Sequence, residues 1–123
     1  MAAHPELATF IASSFRSVWA LELVLHLKRN QEQAWETVDI VNAMRASELV
    51  VSNALTSLIA AGLVVQEADG QTRYAPASPD IERLADATEA LYAKKPDAVR
   101  RIIISSARAG IAAFADAFRL RKE

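Results

Sequence analysis

Residues 37 to 76, TVDIVNAMRASELVVSNALTSLIAAGLVVQEADGQTRYAP, decide the fold. Thr37 is a good helix N-cap, and Asp39 lies in the first turn, where the helix dipole favours negative charge. Val38, Ile40, Val41 and Met44 supply an apolar face over two turns, and Arg45-Ala46 makes a tight turn. Ser47 then caps a second helix, with Glu48 in its first turn and Val51, Leu55 and Leu58 along one side. Gly62 is placed as the left-handed residue that ends it. Leu63 to Glu67 reads as a strand, Ala68 to Gln71 as a turn with an Asp-Gly signal, and Thr72 to Ala75 as the returning strand, closed by Pro76.

Upstream, Pro5 to Arg29 is helical by period: Leu7, Phe10, Ile11, Ser14, Val18, Leu21, Leu25 and Lys28 fall at steps of three and four. Phe15, Trp19 and Val24 widen that stripe, which implies burial on more than one side. Ser13, Ser14 and Ser17 offer an alternative in which the segment splits near Ser13 and a second helix is capped. Asn30 to Gln33 reads as a polar connector, and Ala34 to Glu36 as a short strand.

Downstream, Ser78 caps a helix with Pro79 at its first position, and Ile81, Leu84, Ala85, Thr88, Leu91 and Tyr92 form its stripe. Lys94-Lys95-Pro96 ends it and opens another helix containing Val99, Ile102 and Ile103. Ser105, Ser106 and Gly110 predict a break before a last amphipathic face of Ile111, Phe114, Ala115 and Phe118. The expected organisation is one domain over 1–123, with a core at 17–77, an N-terminal helical extension at 5–16 and a C-terminal one at 78–123.

Composition narrows the function classes. There is no cysteine, which excludes disulfides and thiolate chemistry. The two histidines, His4 and His26, and three glycines provide no zinc-ligand spacing, no serine–histidine pair and no phosphate loop. No enzyme, cofactor or metal site is therefore expected. The longest apolar run, Leu58 to Val65, contains a glycine and is too short for a bilayer. Met1 to Glu6 lacks the basic start of a signal peptide, so no membrane association and a cytoplasmic location are expected. Charge is unevenly spread: Asn30 to Asp80 holds two basic and seven acidic residues, whereas Lys94 to Glu123 holds eight basic and three acidic.

The pattern Ser47-x-x-x-Val51-Ser52-x-x-Leu55-x-x-Leu58-x-x-Ala61-Gly62-Leu63-Val64 resembles that of bacterial winged-helix regulators, of the multiple-antibiotic-resistance and arsenic-responsive repressor kinds. The likeness covers about residues 17 to 77. It implies a mainly α fold: a winged helix-turn-helix with a two-stranded β-wing and extra N- and C-terminal helices. It also implies a transcription regulator that binds DNA as a homodimer. On that resemblance Asn53, Thr56 and Ser57 face the major groove, Ser52 hydrogen-bonds a phosphate or base, Ser47 joins the DNA-binding set at the helix cap, Arg45 contacts phosphate, and Arg73 on the wing meets a minor groove or phosphate.

The residues also support a competing expectation. The helix that would read DNA carries no lysine or arginine, and the surrounding region repels phosphate unless cations arrive from Arg16, Lys28, Arg29 or the basic C-terminus of a dimer. A winged helix can instead dock a protein partner, here through Leu49, Val50 and Ile59. Dimerisation is expected through Phe10, Phe15 and Trp19 of the first segment and Ile111, Phe114 and Phe118 of the last. Trp19 and Trp35 are expected as packing residues rather than as walls of a ligand pocket.

Overall fold

The wide apolar stripe of the first segment is resolved by a bend. In the computed structural model, which describes residues 3 to 106, α1 (Ala3–Ser14) and α2 (Val18–Arg29) meet at 102°. Ser17 caps α2, its Oγ accepting from the Ala20 amide at 3.1 Å. Phe15 at the corner is 2% exposed and meets Phe10 edge-on, with ring centroids 6.0 Å apart. Of the two sequence alternatives, the split is the one adopted. A straight helix would leave the second side of the stripe in water, whereas the bend lays α1 back across α5.

That bend corrects one expectation. Phe10 and Phe15 belong to the chain's own core, in one cluster with Leu7, Ile11, Ala85, Val99 and Ile103, and present no apolar surface to a second copy. Of the other residues expected at a dimer interface, Trp19 is 45% exposed, and Ile111, Phe114 and Phe118 lie outside the described residues, as does the break expected at Gly110.

The centre of the chain forms α3 (Thr37–Met44), α4 (Glu48–Ala60), β1 (Val64–Gln66) and β2 (Thr72–Tyr74). Thr37 is the first helical residue of α3 and not its cap; Glu36 takes that place without a side-chain hydrogen bond. Only Ile40 of α3 is fully buried, and Val38 points to solvent. Arg45 ends α3 at φ 54°, in the left-handed region that costs a side-chain-bearing residue about 1 kcal/mol. Ser47 caps α4, accepting from the Val50 amide at 3.1 Å. Val51, Ala54, Leu55 and Leu58 bury one side of α4 against α2 and α3.

Gly62 reverses the chain at φ 77°, and a Cβ there would stand 3.1 Å from the Ala77 methyl and 3.3 Å from Ile81. Its carbonyl accepts from the Ala77 amide at 2.8 Å, so α4's exit is locked to the start of the next helix. The strands pair antiparallel in the register Val64↔Tyr74, Val65↔Arg73 and Gln66↔Thr72. Alternation places Val64, Thr72 and Tyr74 inward and Val65 and Arg73 outward. The strand expected at Ala34 to Glu36 is a single bridge, in which Trp35 and Thr72 exchange two backbone hydrogen bonds of 2.8 Å.

α5 (Pro79–Lys94) begins with the expected Ser78 cap and proline, and residues 96 to 106 are helical, here α6. The described residues are thus mainly helical with one small antiparallel sheet. Among them no single helix is long and apolar enough to cross a membrane.

Candidate functional site

With Val51, Ala54, Leu55 and Leu58 turned inward, the helical period sends Leu49, Asn53, Thr56 and Ala60 outward along the opposite face of α4. Ser52 and Ile59 flank that face on one side, and Val50 and Ser57 on the other. Leu49 is 70% exposed, Val50 39% and Ile59 41%, so three large apolar side chains stand in water on a helix without a cation.

The polar residues of this face are partly occupied. Thr56 Oγ1 donates to the Ser52 carbonyl at 3.0 Å, and Ser57 Oγ donates to the Ala54 carbonyl at 2.9 Å. Both hydroxyl protons are spent within the helix, which leaves lone pairs outward, the wrong complement for phosphate oxygens. Ser47 is committed to its cap. Asn53 and Ser52 are exposed.

Three cations elsewhere on the chain are committed as well. Arg73 on β2 pairs with Glu67 at 3.2 Å across the outer face of the hairpin. Lys28 Nζ lies 2.6 Å from Glu89 and 2.9 Å from Asp86, and Arg29 Nε lies 3.1 Å from Glu89. These contacts clamp α2 to α5. Burial alone would lower the Lys28 ammonium, but its hydrogen bonds to Glu89 and Asp86 outweigh it and hold the group above the ordinary lysine value. The hydrogen bond from Lys28, assisted by Arg29, holds Glu89 below the ordinary carboxylate value against its partial burial. Arg16 and Arg45 have no ion-pair partner among the described residues.

Two features differ from the sequence reading: Trp19, expected to pack, is 45% exposed and borders a cleft, and a set of polar atoms is buried without partners among the described residues. The cleft, of about 550 Å³, lies between the start of α2 and α4, lined by Arg16, Trp19, Val50, Asn53, Ser57 and Ala60, among others. On its other side Trp19 borders a second hollow of about 390 Å³, formed with Val18, Glu22, Ala43 and Met44. By helical period Trp19 lies on the side of α2 that carries Glu22 and His26, at the rim of the buried stripe. The second is a set of inward polar atoms beneath the hairpin: His26 Nε2, Trp35 Nε1, Thr72 Oγ1 and Tyr74 OH, which have no hydrogen-bond partner among the described residues. The His26 and Trp35 rings meet edge-on at 4.9 Å, and burial pushes the Tyr74 phenol up to about 12.

Among the described residues no group of three or more histidine, aspartate or glutamate side chains is placed to hold a metal ion. A scan against protein-family models finds no matching family, and searches of curated proteins and of solved structures find no match.

Proposed function

We propose that this chain is a winged-helix regulator whose α4 docks a protein partner and does not itself read DNA. α3, the left-handed turn at Arg45, the capped α4 and the β1–β2 hairpin follow one another as in a winged helix-turn-helix. The observation that carries the reading is apolar exposure on a helix that brings no cation. Leu49, Val50 and Ile59 are exposed on a helix free of lysine and arginine, while Lys28, Arg29 and Arg73 are held in ion pairs within the chain. DNA affinity grows with phosphate neutralisation, and α4 brings only Glu48 to that surface. Desolvating leucine, valine and isoleucine, by contrast, favours a protein surface at about 25 cal/mol per Å² buried.

A photo-crosslinking side chain placed at Leu49 in living cells tests this, with the same group at the exposed Asp80 as reference. The expected result is a protein adduct specific to position 49; nucleic-acid adducts at that position would overturn the reading.

DNA binding as a homodimer is the second reading, favoured by Arg45, a cation directly before α4 with no ion-pair partner among the described residues, and by the exposed Asn53 amide. It predicts that Arg45→Ala and Asn53→Ala each weaken a DNA complex that Leu49→Asp leaves intact.

A further inference from the structure

The Trp19 cleft lies beside the outer face of α4, and its walls differ in chemistry. The α4 wall presents small or short side chains, Asn53, Ser57 and Ala60, so another helix could approach its backbone closely. The α2 wall presents the opposite: an indole 45% exposed, with Arg16 at the bend just before it. Among the described residues Arg16 is the one charged side chain lining the cleft, and it has no ion-pair partner there. Tryptophan and arginine are the residues that most often dominate binding energy when they are desolvated at the centre of an interface. The hollow on the far side of Trp19 makes the indole a ridge between two depressions, a shape that receives a helix surface rather than a small ligand.

We infer that this cleft is the seat of an amphipathic helix from a partner protein, one that lays apolar side chains against Trp19 and Val50 and sets a carboxylate opposite Arg16. The charge of Arg16 selects an acidic partner over a basic one on the cleft side of Trp19, while Glu22 borders the hollow on its far side. The inference rests on the protein-docking reading and adds to it a location and a partner chemistry.

The test is selection of a displayed library of helical peptides of about 16 residues, roughly four turns, against the full chain. Selected peptides are then titrated against wild type, Trp19→Ala, Arg16→Glu and Leu49→Asp. All three replaced side chains are exposed, and circular dichroism melting checks that each variant folds. The expected winners carry an apolar ridge with Asp or Glu beside it, bind Trp19→Ala about tenfold more weakly, and lose to their lysine-substituted versions on Arg16→Glu. Winners that are basic, or that bind Trp19→Ala and Arg16→Glu as well as wild type while losing Leu49→Asp, would overturn the cleft but leave protein docking by α4 standing. No selectable peptide, together with association of the chain with DNA, would overturn both. A wild-type dimer in sedimentation that Trp19→Ala converts to monomer would assign the cleft to a second copy and likewise overturn the partner named here.

Discussion

Glu67 and Arg73 stand diagonally across the outer face of the β1–β2 hairpin, carboxylate to guanidinium at 3.2 Å. The register makes this possible: Arg73 pairs with Val65, and Glu67 lies two residues further along the same face. The residue that the sequence nominated for a nucleic-acid groove therefore has an anion beside it already. Both partners are substantially exposed, so the pair stabilises little. Arg73→Ala is expected to change unfolding free energy by less than about 1 kcal/mol in a denaturant titration. A loss several times larger would show that the pair organises the hairpin.

The clamp between α2 and α5 behaves differently, because Lys28 is only 15% exposed and is shared by Asp86 and Glu89. Glu89→Gln removes one charge from a partly buried cluster and is expected to cost about 1–3 kcal/mol. The pH dependence follows from the direction of the shift. Glu89 is held below its ordinary 4.5, so the folded state retains less proton than the unfolded one, and stability present above pH 4.5 drains away as pH falls through the lower folded value. Glu89→Gln should flatten that acid limb of a stability–pH profile. An unchanged limb would place the acid sensitivity elsewhere.

At the alkaline end, Tyr74 is pushed by burial from 10.0 to about 12. Above pH 10 the unfolded chain loses the phenolic proton while the folded chain keeps it, so stability falls between about pH 10 and 12. Lys28, raised above 10.5, adds to the decline in the same direction. Tyr74→Phe removes both the titration and a buried hydroxyl that has no hydrogen-bond partner among the described residues. The variant should be at least as stable as wild type at neutral pH and should decline less above pH 10. A loss of more than about 1 kcal/mol at neutral pH would mean that the hydroxyl is satisfied in solution.

Gly62 joins α4, the hairpin and α5. Its φ of 77° and the 3.1 Å approach to Ala77 oppose any side chain. Gly62→Ala is expected to cost about 1–3 kcal/mol, from left-handed strain and displaced packing together. Arg45 makes the opposite comparison: it holds φ 54° with a full side chain, so Arg45→Gly should be neutral or stabilising in thermal melts. Equal effects at the two positions would contradict the backbone account.

Much of the architecture could be read in the sequence because it depends on local chemistry. Ser47, Ser78 and Gly62 each act at the position where caps and left-handed turns require them. The Asp-Gly turn set the hairpin within a residue at each end. What local chemistry does not hold is which cation finds which anion. Lys28 and Glu89 are separated by 61 residues and meet only because α5 returns along α2. Phe10 and Phe15 likewise look like surplus apolar surface until the bend after Ser14 turns them inward. On α4 the Ser52, Asn53 and Thr56 side chains are exposed, and the Thr56 and Ser57 hydroxyls are taken up by carbonyls one turn back, a local contact.

The central proposal is that α4 docks a protein partner and does not itself read DNA. It is tested most directly by fluorescence anisotropy of a mixed-sequence duplex titrated with the full chain at low salt, where even non-specific DNA binders associate. The account predicts no saturable rise in anisotropy for the wild-type chain or for Arg45→Ala. A saturable rise that weakens with added salt, and whose slope against salt falls by roughly one for Arg45→Ala, would contradict it.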